Sequence, residues 1–168
     1  MICPACDLDN VPGAEICEEC GTDLTDSGVP RPTTGMQARI LKDPLSALGP
    51  WELVSVPSSA SVAEALAVMR DRRHGSVLVL NGGKLEGIFT ERDLLTKVLD
   101  RGVDPGKTKV TEVMTPDPTT LRASHPLAFA IHLMAVRGIR HIPILKGGVP
   151  QGVVSIRSVL EYLTKQAL

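Results

Sequence analysis

Four cysteines near the start of the chain form two Cys-x-x-Cys pairs, Cys3 with Cys6 and Cys17 with Cys20. Each pair favours a tight turn that directs both sulfurs to one point, and four thiolates make the tetrahedral ligand set that Zn²⁺ prefers. Such a set leaves no open coordination position, so the spacing predicts a structural zinc and not a catalytic one. Disulfides or a redox dithiol are the weaker alternatives, because cytosolic thiols stay reduced and no βαβ pattern surrounds either pair.

A second candidate for chemistry runs from Gly87 to Leu94, Gly-Ile-Phe-Thr-Glu-Arg-Asp-Leu. Here an apolar strand end leads to Thr90 at the N-cap of a predicted helix, where free N–H groups and the helix dipole suit a phosphate. Asp93 follows one turn later, and its carboxylate can accept two hydrogen bonds, as a ribose diol offers. Taken alone, the octet favours simple helix capping over ligand binding.

The octet is one half of an internal repeat. Shifted by 65 residues, the sequence aligns with itself without a gap, so that Gly87 meets Gly152 and Arg92 meets Arg157. Two units exclude a long solenoid and predict a pseudosymmetric pair, because one unit alone would leave its apolar face exposed.

Hydrophobic periodicity gives each unit the order β-α-β-β-α, and the fold class is therefore predicted as α+β. In the first repeat the helix capped by Ser61 and the helix Glu91–Arg101 flank a Gly-Gly hairpin. In the second repeat Leu127–Arg137 forms the first helix, and Pro143 within a strand predicts a sheet edge. His132 is interpreted as a surface or packing histidine.

Residues 1–24 resemble the short zinc ribbons of many prokaryotic proteins, and residues 25–43, rich in Pro, Gly, Ser and Thr, are interpreted as a linker. Residues 1–30 contain seven acidic residues and no Lys or Arg, whereas all 18 basic residues follow. A phosphate backbone would repel so acidic a ribbon, so a protein partner is expected and nucleic acid is not.

The repeat resembles a tandem pair of CBS domains, a Bateman module, with repeat 1 at residues 44–103 and repeat 2 at residues 104–168. The resemblance rests on four segments of the sequence: His74-Gly75-Ser76-Val77-Leu78-Val79, Gly87-Ile88-Phe89-Thr90-Glu91-Arg92-Asp93, Val113-Met114-Thr115 and Gly138-Ile139-Arg140-His141-Ile142-Pro143-Ile144. It implies a regulatory protein that dimerises and binds AMP, ADP, ATP or a related adenosyl ligand in a cleft between the repeats.

The resemblance also implies the residues of one ligand site: Thr90, Arg92, Asp93, Pro118, Thr119, Arg140 and His141. It places ribose on Asp93, phosphate on Thr90, Arg140 and His141, and adenine beside Pro118 and Thr119. The other cleft is expected to bind poorly, because Ser158 replaces the aspartate.

Three functions follow as hypotheses: a nucleotide sensor, an adaptor whose cleft is vestigial and whose ribbon docks a partner, and an enzyme. The enzyme is disfavoured, because the sequence offers no catalytic triad, paired carboxylates, open metal site or phosphate loop. No signal peptide or membrane-length apolar run is visible, so a cytoplasmic protein without a membrane span is expected.

Overall fold

The computed structural model describes residues 2–3, 5–11, 14–24 and 40–167. The predicted linker therefore lies largely outside the described residues. The chain divides into two compact units that both draw on the two sequence repeats. The first unit comprises Met1–Gly49, Arg122–Arg140 and Ser155–Leu168, and the second comprises Pro50–Leu121 and His141–Val154.

The α+β class is confirmed, and the described elements contain the predicted β-α-β-β-α order in each repeat, with an additional two-residue strand before it in repeat 2. In repeat 1 they are β1 (Ser55–Pro57), α1 (Val62–Arg72), β2 (Ser76–Asn81), β3 (Lys84–Thr90) and α2 (Glu91–Asp93), which continues as a π-helix over Leu94–Leu99. In repeat 2 they are β4 (Thr115–Pro116), β5 (Leu121–Arg122), α3 (Leu127–Arg137), β6 (His141–Lys146), β7 (Val149–Ser155) and α4 (Ile156–Ala167). Short 3₁₀ turns occupy Leu45–Leu48 and Val110–Glu112.

Helix α1 begins where the sequence predicts, because Ser61 and Glu64 form a reciprocal capping box. The Ser61 hydroxyl accepts from the Glu64 N–H at 3.2 Å, and the Glu64 carboxylate accepts from the Ser61 N–H at 2.7 Å. The helix ends at Arg73, which has a left-handed φ of 55°. Its counterpart after α3 is Gly138, with a φ of 63°, a conformation that glycine adopts without steric cost.

A four-stranded sheet in the order β1-β2-β3-β4 organises the second unit. Strand β1 pairs with β2 in parallel, and the other two pairings are antiparallel. Aliphatic side chains from the sheet, α1 and the π-helix build its core around one aromatic ring, Phe89, which is fully buried. This core fixes the carboxyl end of β3, where the Thr90 helix start lies.

Two expectations about local structure are wrong. The second helix of repeat 1 is a single α-turn followed by a π-helix, not an α-helix over Glu91–Arg101. Strand β6 is the central strand of the β5-β6-β7 sheet, so Pro143 does not lie in an edge strand. Because β5 has only two residues, it can pair with only part of β6, and a residue without an N–H is tolerated there.

In the first unit, the 3₁₀ turn at Leu45–Leu48 is tied to the segment before α3. The Leu45 N–H donates to the His125 carbonyl at 2.8 Å, and the Leu127 N–H donates to the Asp43 carbonyl at 2.8 Å. The Tyr162 hydroxyl of α4 donates to the Asp43 carboxylate. Helix α3 thus starts from a braced turn, although Pro126 supplies no side-chain cap.

Candidate metal centre and ligand site

The structure brings the four cysteine sulfurs together. All four lie within 4.8 Å of one another; Cys3 and Cys20 are 3.6 Å apart, and Cys6 and Cys17 are 3.5 Å apart. A tetrahedron with Zn–S bonds of about 2.3 Å has sulfur–sulfur edges of roughly 3.8 Å, so the donor set fits a thiolate-bound metal. All four are free thiols and not disulfides.

The protein around the sulfurs prepares them unequally for deprotonation. Burial raises the pKa of the Cys6 thiol. Burial would also raise the pKa of Cys17, but hydrogen bonds from the N–H groups of Cys20 and Glu19 and from the Asn10 amide lower it to about 6. A metal must bind thiolates, so the surroundings of Cys17 favour the proton loss that metal binding requires, whereas burial opposes it at Cys6.

At the start of α2, Thr90 and Asp93 form a capping box. The Asp93 Oδ2 accepts from the Thr90 N–H at 3.0 Å and from the Thr90 hydroxyl at 2.6 Å. The Thr90 hydroxyl in turn accepts from the Asp93 N–H at 3.3 Å. The capping role that the octet alone favours is therefore present.

The other carboxylate oxygen of Asp93 is also occupied. Its Oδ1 accepts from the Thr115 hydroxyl at 3.1 Å and lies 2.6 Å from the Lys97 ammonium. The Asp93 side chain is only 7% exposed, and its four donors match the lone-pair sites of a carboxylate. A ribose diol would therefore have to replace hydrogen bonds that the chain already makes.

Repeat 2 builds the same box with neutral groups. The Ser155 N–H donates to the Ser158 hydroxyl at 3.0 Å, and the Ser158 N–H donates to the Ser155 hydroxyl at 3.1 Å. Both helix starts are thus capped, but only repeat 1 places a carboxylate there.

His141 of the predicted site lies beside the helix start in the second unit. A methyl group at Gly75 would lie 3.1 Å from His141 Nε2 and 3.2 Å from the Glu91 carboxyl group. The Glu91 N–H donates to the Gly75 carbonyl at 3.1 Å. Gly75 therefore leaves the space in which the imidazole and the first residue of α2 approach each other.

Pro118 lies elsewhere in the second unit, at an open groove of about 720 Å³. The groove is bordered by the two Gly-Gly hairpin turns, by Lys84 and Leu85, by Asp117, Pro118 and Thr120, and by Leu145 and Val149. His141 and Leu145 are four residues apart on β6, roughly 13 Å along a strand. The structure thus separates Pro118 from His141 along the length of β6.

The remaining predicted ligand residues are described by their exposure and their backbone hydrogen bonds. Arg92 and Arg140 are exposed, and Thr119 is half-buried. The Arg92 carbonyl accepts from the Thr96 hydroxyl at 2.9 Å, and the Arg140 carbonyl accepts from the Ile156 N–H at 3.1 Å. Among the predicted ligand residues, Thr90 and Asp93 contact each other directly.

Sequence reasoning missed two partners of Asp93, Lys97 and Thr115. The Lys97 pairing had a signal, because opposite charges four residues apart face each other on a helix. Thr115 had no local signal, since its contact depends on β4 pairing with β3 at Ile88.

Among the helices that the structure describes, none combines the length and the apolar character that a membrane span requires.

The CBS domain family model matches the chain twice, at residues 50–100 and 110–165. CBSCBSPB3, a CBS domain-containing protein of Arabidopsis thaliana, is 36% identical over 90 residues. That match covers 54% of this chain but only 16% of the Arabidopsis protein.

Two solved structures are matched by this chain over almost their whole length. An uncharacterized conserved protein from Pyrococcus horikoshii is 30% identical with a TM-score of 0.68, over 72% of this chain and 92% of the other. The CBS domain protein PAE2072 from Pyrobaculum aerophilum, solved in complex with AMP, is 26% identical with a TM-score of 0.65. The match covers 74% of this chain and 98% of PAE2072.

Replacing Asp93 is expected to destabilise the protein without any ligand. Asp93→Ala removes the acceptor of four donors and should lower the free energy of unfolding by about 2–3 kcal/mol. Breaking a fully buried ion pair costs about 3–5 kcal/mol, and the loss here is smaller because the Lys97 side chain is 29% exposed. Urea denaturation of nucleotide-free protein measures this.

Repeat 2 supplies the controls. Asp93→Ser copies the neutral box of Ser158 and should lose less than Asp93→Ala. Ser158→Ala removes one neutral hydroxyl from the box and should cost only about 1 kcal/mol, the usual net contribution of a hydrogen bond. An unchanged urea midpoint for Asp93→Ala would show that the carboxylate is not structural.

Proposed function

We propose that this chain, which belongs to the CBS domain family and carries two CBS domains, is a regulatory protein that senses an adenine nucleotide and is not an enzyme. The observation that carries the proposal is PAE2072, a relative in complex with AMP whose chain is matched over 98% of its length. The ligand is AMP, ADP, ATP or a related adenosyl compound, and its binding changes the conformation or dimer state that a partner recognises.

The groove at the hairpin turns supports a ligand of this size. Its volume of about 720 Å³ lies within the range of about 300–1,000 Å³ that is usual for small-molecule pockets. Pro118, which the family resemblance places beside adenine, borders it, and Leu85 and Leu145 add apolar surface. A flat aromatic base suits such a lining.

Thr119, which the resemblance places beside adenine with Pro118, remains a proposed ligand residue of the adenine end. At the other predicted end, Thr90, Arg92, Asp93, Arg140 and His141 remain the proposed ligand residues. The hydroxyls of Thr90 and Thr115 donate to Asp93, and ribose hydroxyls would replace them by bonds of the same kind. Such an exchange costs little, because the carboxylate keeps its acceptor count. Ser158 offers no carboxylate for the same exchange, so one nucleotide site per chain is proposed.

Titration calorimetry with AMP, ADP, ATP and S-adenosylmethionine tests the proposal. One adenine ligand should bind with a stoichiometry near one per chain. Arg140→Ala should weaken it about tenfold or more, since a hydrogen bond to a charged group contributes about 1.5–3 kcal/mol. Arg140 suits the test because it is exposed, whereas Asp93 variants also lose the contacts that hold the helix start.

Arg101→Ala is the matched control, because Arg101 is an equally exposed arginine outside the proposed site. Equal weakening by both variants would indicate a general charge effect. Two equivalent sites would contradict the single-site proposal. No binding by folded protein, freed of copurified nucleotide, would contradict nucleotide sensing itself.

We further propose that the four cysteines bind one structural Zn²⁺. Their sulfur separations of 3.5 and 3.6 Å support this, as does the burial of Cys3, Cys17 and Cys20 in a ribbon too small for a core of its own. Elemental analysis should find about one zinc per chain, and Cys17→Ser should lower both zinc content and thermal stability. Zinc-free protein that melts at the same temperature as the zinc-loaded form would contradict a structural role.

A homodimer is proposed from exposed aliphatic side chains on the second helix of each repeat. Leu95 and Leu99 are 60% and 61% exposed on the π-helix, and Leu160 is 55% exposed on α4. Light scattering should give twice the mass of one chain. The double variant Leu95→Glu with Leu99→Glu should give the mass of a single chain. Thr96→Glu on the same helix is the control; an unchanged mass in the double variant would place the interface elsewhere.

One observation favours the adaptor as a second candidate. The ribbon exposes three large aliphatic side chains, Ile2, Val11 and Ile16, each at least 60% accessible. Exposed apolar side chains that form one contiguous patch are typical of protein-binding surfaces. The adaptor would bind its partner with or without nucleotide, whereas the sensor's affinity for the partner would change when nucleotide binds.

A further inference from the structure

Helix α3 contacts the second cysteine pair inside the first compact unit. The Nε2–H of His132 donates to the carbonyl of Cys20, and the Arg137 guanidinium donates to the carbonyl of Glu19. Arg137 also lies 3.8 Å from the Glu19 carboxylate. Since a carbonyl can only accept, the contact fixes the His132 tautomer with its proton on Nε2.

These two carbonyls belong to the turn that carries two of the four sulfurs. Within that turn the Gly21 N–H donates to the Cys17 carbonyl at 2.9 Å, and the Cys17 N–H donates to the Thr22 carbonyl at 2.8 Å. The donors from α3 therefore bind the carbonyl groups of Glu19 and Cys20, which are not the acceptors of these two hydrogen bonds within the turn.

A parallel contact reaches the first cysteine pair. The Asp7 N–H donates to the Cys3 carbonyl at 3.0 Å, and the Asp7 carboxylate accepts from Arg122 at 3.4 Å. Arg122 is oriented by its hydrogen bond to His125 at 3.1 Å. Both cysteine turns are thus attached to the same segment of repeat 2, from just before α3 to its end.

Repeat 1 has no counterpart of the His132 and Arg137 contacts among the described residues, although its helix α1 corresponds to α3. Ala67 occupies the position of His132, and Arg72, at the position of Arg137, pairs with Glu52 at 2.8 Å. The contacts are therefore specific to repeat 2 and do not follow from the shared fold.

We propose that His132 and Arg137 are positioning residues of the metal centre, so that metal binding and the packing of α3 stabilise each other. The inference rests on the proposed zinc site. Groups that orient metal ligands typically change metal affinity by about 10–100-fold when they are removed. Because coupling between sites is reciprocal, whatever strengthens the α3 contact tightens the metal, and metal loss loosens α3. Metal binding by the ribbon thereby changes the stability of α3, which belongs to the second CBS domain.

Competition with a zinc chelator on the full-length chain tests this. His132→Ala and Arg137→Ala should each weaken zinc binding about tenfold or more. His132→Gln should restore much of the affinity, because its amide N–H can donate to the Cys20 carbonyl. Arg72→Ala, the counterpart on α1, is the matched control and should leave the affinity unchanged.

Hydrogen exchange gives a second readout that does not depend on the variants. Removing zinc from the wild-type chain should raise amide exchange in α3 while α1 stays protected. A chain that binds no zinc would overturn the metal site and this inference together. Zinc bound equally tightly by wild type, His132→Ala and Arg137→Ala, with α3 exchange unaffected by the metal, would overturn the coupling and leave the metal site standing.

Discussion

The buried carboxylate of Asp93 is the interaction on which much of the second unit depends. Among the residues that the structure describes, it is the one buried charged side chain. Removing a carboxylate from water costs several kcal/mol unless hydrogen bonds and an opposite charge replace the water. Thr90, Lys97 and Thr115 supply them, and in doing so they fasten the end of β3, the π-helix and β4 to one point.

This arrangement would tie the proposed ligand binding to stability. If ribose takes places at Asp93 that chain hydroxyls hold in its absence, binding loosens Thr115 and the β4 segment while it adds contacts of its own. A ligand shifts a conformational equilibrium only by its difference in affinity for the two states. The exchange at Asp93 would supply such a difference, because it alters which strand the carboxylate holds.

Patterns local in sequence were the ones that could be predicted. The capping boxes, helix α3 and the cysteine cluster follow from spacing alone, since each depends on residues close together in the sequence. The repeat follows from aligning the sequence with itself. The π-helix, the central place of Pro143 and the Thr115 contact depend on pairings between distant segments. For the same reason the sequence identified His132 only as a surface or packing residue, because nothing near it indicates the Cys20 carbonyl it binds.

The two repeats share a backbone but have diverged in what their polar residues do. Repeat 1 keeps a carboxylate at its helix start, whereas repeat 2 caps the same position with Ser158, which cannot replace it as a charged ligand. Repeat 2 instead places His132 on its first helix, where repeat 1 has Ala67. In the proposed arrangement repeat 1 supplies the carboxylate of the ligand site, whereas repeat 2 supplies Arg140 and His141 to that site and His132 to the ribbon.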